Sequence, residues 1–177
     1  MRLLPAEKLA HYARIYGLYR RAFPRNERKP FSVIRRMSRR GKTDIWYFED
    51  GRGFLGLATT INGDGLILID YFAVSEKRRG QGHGRKMLKA LLDRYSPSGV
   101  FLEIEIPDEN AENFAERLRR KRFYLGSGIA PMNTRASLFG VGMELLGVDC
   151  HLDFNEYRNF YLQNYGKFAY DNIRPIE

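Results

Sequence analysis

Residues 70–92 constrain what this chain can fold into more tightly than any other stretch. An apolar strand, Tyr71-Phe72-Ala73-Val74, leads through a short charged connection into Arg78-Arg79-Gly80-Gln81-Gly82-His83-Gly84. An amphipathic helix follows, with Met87, Leu88, Leu91 and Leu92 on one stripe. Glycines at three alternate positions leave the backbone without side-chain cover, and the helix points its N-terminus at whatever the turn holds. Exposed N–H groups and the positive end of a helix dipole together suit an anion. Arg78, Arg79 and Arg85 add fixed positive charge around them. The expectation is a cradle for a phosphate-bearing ligand, a pyrophosphate.

The kind of cradle follows by elimination. A Walker loop started at Gly80 needs glycine, lysine and a hydroxyl at positions that hold Arg85, Lys86 and Met87. The dinucleotide fingerprint needs G-x-G-x-x-G directly after its strand; here the spacing is G-x-G-x-G, with Arg85 at the last glycine position. The pattern that fits is Arg-x-x-Gly-x-Gly, filled by Arg79, Gly82 and Gly84. This resembles the acyl-CoA signature of the GCN5-related N-acetyltransferases (GNAT), whose turn amides hold the coenzyme A pyrophosphate. The resemblance implies acetyl-CoA as cosubstrate, held by Arg79, Gly80, Gln81, Gly82, His83, Gly84 and Arg85. It also implies that Phe72, Ala73 and Val74 offer backbone groups to the pantetheine and thioester, and that Asn113 touches the coenzyme. The bland reading of the turn is a tight surface bend capped by glycines.

The rest of the chain agrees with that order of elements. Apolar residues at Leu9, Tyr12, Ala13, Ile15, Tyr16 and Tyr19 recur at helical period over residues 6–22, and Phe23-Pro24 ends the helix. A second helix is expected over residues 30–39. Ile45 to Phe48, Phe54 to Ile61 and Leu66 to Val74 read as an antiparallel meander joined at Asp50-Gly51 and Asn62-Gly63-Asp64-Gly65. Residues 84–95 form the helix after the turn, and Val100 to Ile106 is the next strand. Strand, helix, strand in one sheet implies a right-handed crossover and a parallel pair. Residues 110–122 are helical in pattern, residues 123–152 read as short strands broken by glycines, and residues 154–165 form a closing aromatic helix. With one short strand missed at the start, the expected fold is α/β (α+β). It has a mixed sheet, an antiparallel N-terminal meander, a parallel pair joined by a helix, and helices on both faces: the acyl-CoA N-acyltransferase fold.

At 177 residues, with 44% hydrophobic and 29% charged, the chain reads as one globular domain over residues 1–177. No run approaches the roughly 20 apolar residues of a membrane span, and the N-terminus does not read as a secretory signal. One cysteine, Cys150, excludes an intrachain disulfide and a thiolate zinc cluster, so a cytoplasmic protein without a metal is expected. The net charge of +9 fits a polyanionic ligand, coenzyme A or nucleic acid.

Acetyl transfer to an amine needs a proton acceptor, donors for the oxyanion and a proton for the departing thiolate. Tyr124, in a Phe-Tyr pair that the family commonly places at the end of its fourth helix, is the expected acid. The chain departs from the family after it, running Leu125-Gly126-Ser127-Gly128 where the family has a charged residue and Asn-Gly-Phe. Alternation puts Phe101, Glu103 and Glu105 on one strand face, and two carboxylates there call for a cleft, water or paired arginines. Glu103, Glu105 and Asp70 are therefore the candidate bases, and they favour a cationic acceptor. Asn110 suits a helix cap. The reading is an acetyl-CoA-dependent N-acetyltransferase acting on a small-molecule or peptide amine in a ternary complex, as a monomer or homodimer. Membrane is not an expected partner. The alternatives are a basic nucleic-acid-binding domain without catalysis and a CoA-binding sensor on the same fold.

Overall fold

The computed structural model describes residues 1–176, the side chain of Asn26 excepted. Its mixed eight-stranded sheet runs in the order β1-β2-β3-β4-β5-β7-β6-β8. The strands are β1 Arg2–Pro5, β2 Thr43–Asp50, β3 Gly53–Asn62, β4 Leu66–Val74, β5 Gly99–Glu105, β6 Ala130–Leu138, β7 Val141–Val148 and β8 Ile173–Pro175. The helices are α1 Leu9–Ala22, α2 Phe31–Arg39, α3 His83–Tyr95, α4 Phe114–Leu125, α5 Phe154–Tyr165 and α6 Lys167–Asp171. Among the described residues no helix is long and apolar enough to cross a membrane. The chain divides into two compact units, Met1–Asn62 with Ile69–Ser96, and Gly63–Leu68 with Pro97–Glu177.

In the first unit β1 pairs antiparallel with β2, and β2 with β3, across a turn in which Asp50 Oδ1 accepts the Arg52 N–H at 2.8 Å. Ile15, Leu18 and Tyr19 of α1 are buried with Ile34, Ile45, Tyr47, Leu57 and Tyr71. Helical periodicity found α1, but its phase needs correcting. Leu9 and Tyr16 face solvent and Leu18 takes a core position, because the buried stripe follows Ile15, Leu18 and Tyr19. Phe23 leaves the helix in extended geometry, as the following Pro24 requires. Gly56 of β3 sits where a Cβ would lie 2.3 Å from the Ala73 carbonyl oxygen and 2.6 Å from Met87 Cε. Only glycine lets Ala73 and the buried face of α3 approach β3 so closely.

In the second unit β5 pairs antiparallel with β7, and β7 with β6. The expected series of short strands is in fact two long ones of nine and eight residues: Pro131 adjoins a bulge, Gly140 lies in the hairpin turn between the strands, and Gly142 and Gly147 keep their register inside β7. Asn133, at φ 60°, marks the bulge between Pro131 and Arg135. Strand β1 is the short strand expected at the start of the chain. Helix α6 and strand β8 carried no clear pattern; β8 buries only Ile173 of its three residues. Helix α4 starts four residues later than its pattern suggests. Asp108 Oδ1 accepts the N–H of Asn110 at 2.9 Å and its side-chain amide at 3.2 Å, so Asn110 belongs to a turn and caps no helix. Helix α5 matches its expected bounds and opens on a capping box between Asp153 and Glu156.

Candidate active site

Within the first unit the glycine turn is built in three steps. A 3-10 turn at Glu76–Arg78 follows β4, and Arg78 points back to Asp50, Nη2 to Oδ1 at 3.0 Å. The Arg52 N–H first, and then the Arg78 charge, hold the Asp50 carboxyl below the usual range. Arg79 folds its Nε onto the Val74 carbonyl oxygen at 3.2 Å, tying the turn to the end of β4. Gly80 and Gly82 then both adopt left-handed geometry, φ 73° and 74°, with Gln81 anchored by its amide on the Lys77 carbonyl at 3.2 Å. Gly82 is the residue before α3, and the first helical hydrogen bond is Lys86 N–H to its carbonyl.

The N–H groups of His83, Gly84 and Arg85 therefore precede the helical ladder, on the surface where Gly80, Gln81, Gly82, Arg85 and Lys86 are exposed. A Cβ at Gly80 or Gly82 would meet nothing within 4 Å on the protein side, so the space above the turn is open to a ligand. Arg78 spends its charge on Asp50; Arg79, Arg85 and Lys86 remain exposed around the turn. Phe72, Ala73 and Val74 are the last residues of β4, directly before it, and the Val74 carbonyl is the one that Arg79 occupies.

Each candidate carboxylate has an internal partner. In the first unit Asp70, its side chain 8% exposed, receives Lys29 Nζ at 2.7 Å. In the second, Glu105 faces Arg117 Nε at 3.3 Å, and Arg117 also donates to Asn113 Oδ1 at 2.8 Å and to the Ile106 carbonyl at 3.1 Å. Asn113 thus stands just before α4 with its side-chain oxygen turned to Arg117. Glu103 accepts the Tyr161 hydroxyl at 2.7 Å, while Phe101 on the same strand face meets Phe160 edge-on at 5.0 Å. Helix α5 therefore covers the face of β5 on which a cleft was one of the expectations, and Arg117 supplies the paired arginine that was another.

Tyr124 lies in the last turn of α4, buried, its ring edge-on to Phe123 at 5.1 Å. Burial pushes its phenol up to about 12 against the lowering effect of Arg120. Sequence reasoning passed over Tyr19, Lys29 and Tyr71, which close a polar cluster around Asp70, and Tyr161, which engages Glu103. The signal for Tyr161 was available, since Tyr157 and Tyr161 share an α5 face at i, i+4. Cys150 donates to the Val100 carbonyl at 3.4 Å, and burial pushes its thiol up, so it is not an activated thiolate. Among the described residues no cluster of three or more His, Cys, Asp or Glu could hold a metal ion.

Four buried phenols and the half-buried Tyr95 set an alkaline limit on the fold. Burial pushes Tyr19 and Tyr124 up to about 12, and raises Tyr71, Tyr95 and Tyr157 as well. An unfolded tyrosine ionises near 10, so the folded state is favoured by these protons in full below about pH 10 and loses that advantage as pH rises through 12. The melting temperature, followed by circular dichroism, is expected to be steady up to pH 10 and to fall steeply between pH 10 and 12. A melting temperature that stays level to pH 12 would contradict this.

Residues 12–119 match the Acetyltransferase (GNAT) family, and the chain belongs to it. Among curated proteins, YjbC of Bacillus subtilis (strain 168), assigned as an acetyltransferase, is 32% identical over 78 residues, 44% of this chain. The match spans 38% of that relative's length. Among solved structures, a protein of Bacteroides thetaiotaomicron assigned as a GNAT-family acetyltransferase superposes with a TM-score of 0.79 at 21% identity, covering 94% of this chain and 99% of its own. An aminoglycoside 6'-N-acetyltransferase complexed with coenzyme A superposes at 0.60 and 12% identity, covering 84% and 96%. Those likenesses establish the fold.

Proposed function

We propose that this protein is an acetyl-CoA-dependent N-acetyltransferase that acts on a primary amine by direct attack in a ternary complex, with residues 1–177 as one functional domain. The observation that carries the reading is the pair of left-handed glycines, Gly80 and Gly82, set before α3 at the end of β4. Their geometry exposes main-chain N–H groups of residues 80–85 to the diphosphate, and Arg79, Arg85 and Lys86 add charge around it. Phe72, Ala73 and Val74 then offer backbone groups to the pantetheine and the thioester. An acetyltransferase of the same fold complexed with coenzyme A supports that assignment, and a thiol cosubstrate suits the reducing cytoplasm.

In the reaction the neutral amine nitrogen attacks the thioester carbonyl carbon. The carbon–sulfur bond breaks, an amide forms, and one proton moves from nitrogen to a base while sulfur gains one. Tyr124 is the proposed donor to sulfur. Its phenol stays protonated across the physiological range, so it is always in the donating state. The nitrogen's proton passes to a carboxylate among Glu103, Glu105 and Asp70, directly or through water. Incubation with acetyl-CoA and a panel of primary amines is expected to release the coenzyme thiol in step with acetylated amine, read by mass spectrometry. Coenzyme binding without product from any amine would favour a sensor. No coenzyme binding at millimolar concentration would contradict the reading outright.

A further inference from the structure

Residues 25–29 join α1 to α2 in the first unit, and their backbone is locked onto β4. One hydroxyl does most of it. Tyr71 Oη donates to the Glu27 carbonyl and accepts the Lys29 N–H, both at 3.0 Å, so the two bonds bracket Arg28. Tyr19 Oη donates to the Lys29 carbonyl at 2.9 Å and meets the Tyr71 ring edge-on at 4.8 Å. Lys29 Nζ takes Asp70. Arg28 is therefore held in place with no carboxylate left in its own cluster.

Its side chain shows the consequence. Arg28 is half-buried, its Nε is shielded from solvent without a hydrogen-bond acceptor, and among the described residues no carboxylate lies within ion-pair distance of it. Arg78 and Arg117, at comparable depth, each face a carboxylate. A shielded, unsatisfied guanidinium N–H is unfavourable by itself and is relieved by an anionic oxygen from outside the chain. The surroundings are cationic as well. Residues 1–62 and 69–96 carry 21 Lys and Arg against 8 Asp and Glu, and the remaining residues carry 9 against 13.

We infer that Arg28 is the docking point for an anionic group on the acceptor, so that the amine acetylated here also bears a carboxylate or a phosphate. This rests on the proposed placement of the thioester along Phe72, Ala73 and Val74. Tyr71, which positions Arg28, is the residue before them, and a strand advances about 3.3 Å per residue. The carboxylates that would attract a polycationic acceptor, Asp70, Glu103 and Glu105, all have partners of their own.

The test measures kcat and KM at saturating acetyl-CoA for four acceptors of similar length: aminopropyl phosphate, an aminobutyrate, butylamine and a diaminobutane. One of the two anionic amines is expected to exceed butylamine in kcat/KM by about tenfold or more, the scale of a charge-assisted hydrogen bond, and the better one identifies the anion. Arg28→Gln removes that advantage through KM, Arg28→Lys keeps part of it, and Arg28→Glu turns the preference toward the diaminobutane. The acetyl-CoA-induced rise in melting temperature is unchanged in all three, which separates loss of docking from loss of fold. Equal use of all four amines by the unaltered protein, or a preference that survives Arg28→Gln, overturns this inference and leaves the acetyltransferase reading standing. Absence of the acetyl-CoA shift, or of product from all four amines, counts against both.

Discussion

Gly82→Val is expected to raise the dissociation constant for acetyl-CoA by at least about a hundredfold, measured by isothermal titration calorimetry. Two effects combine. Gly82 sits at φ 74°, where a β-branched residue is strained by about 1–2 kcal/mol. Its own surroundings are open, so the protein alone loses only that much and a few degrees of melting temperature. On the proposed placement, ligand binding suffers far more, because isopropyl atoms would fill the space through which the diphosphate is to reach the main-chain N–H groups of residues 80–85. Losing two charge-assisted hydrogen bonds of about 1.5–3 kcal/mol each accounts for the hundredfold and more. Gly41→Val is the matched control. Gly41 has φ 71° and equally open surroundings in the turn after α2, so it carries the same strain and should leave coenzyme affinity intact. Equal affinity in the Gly82 variant and its parent would mean that the diphosphate lies elsewhere.

Tyr124→Phe is expected to lower kcat by about a hundredfold, the lower end of what a positioned acid contributes, with the KM for acetyl-CoA and the melting temperature nearly unchanged. The hydroxyl is the only group removed, and the ring keeps its edge-on contact with Phe123. The pH profile offers a second readout. A phenol pushed up to about 12 does not titrate below pH 10, so the variant should keep the shape of the parent profile at a lower plateau. An unchanged kcat would remove Tyr124 from the reaction and leave the sulfur to take its proton from solvent.

The two glycine-rich features were legible in the sequence to different degrees, for a physical reason. At residues 80–84 the glycines themselves carry the message, since left-handed geometry and bare N–H groups need no distant partner. Gly56 carries an equally strict demand, but it depends on Ala73 and Met87 and so could be found only in the folded chain. Helix α5 was read correctly to the residue because its aromatic stripe is local, as is the capping box that the fold reveals at its start. Helix α4 was started too early because the acidic and amide residues at 108–113 look helical until Asp108 folds back on Asn110.

The polar partners form the largest group that sequence left dark. Strand alternation placed Glu103 and Glu105 on one face, yet it could not say that α5 brings Tyr161 to the first and α4 brings Arg117 to the second. Nor could it show that Tyr71 closes a ring of hydrogen bonds around Arg28, across 42 residues of chain from Lys29. That contact decides which charge near β4 is spent and which is not. A long-range hydrogen bond leaves no period in the sequence to read.

The most direct measurement is a crystal structure of the protein with coenzyme A. The account predicts diphosphate oxygens about 3 Å from main-chain nitrogens of residues 80–85, ahead of α3, with the pantetheine running along Phe72, Ala73 and Val74. Coenzyme density that avoids these nitrogens, or crystals in which saturating coenzyme leaves the turn bare, would contradict it.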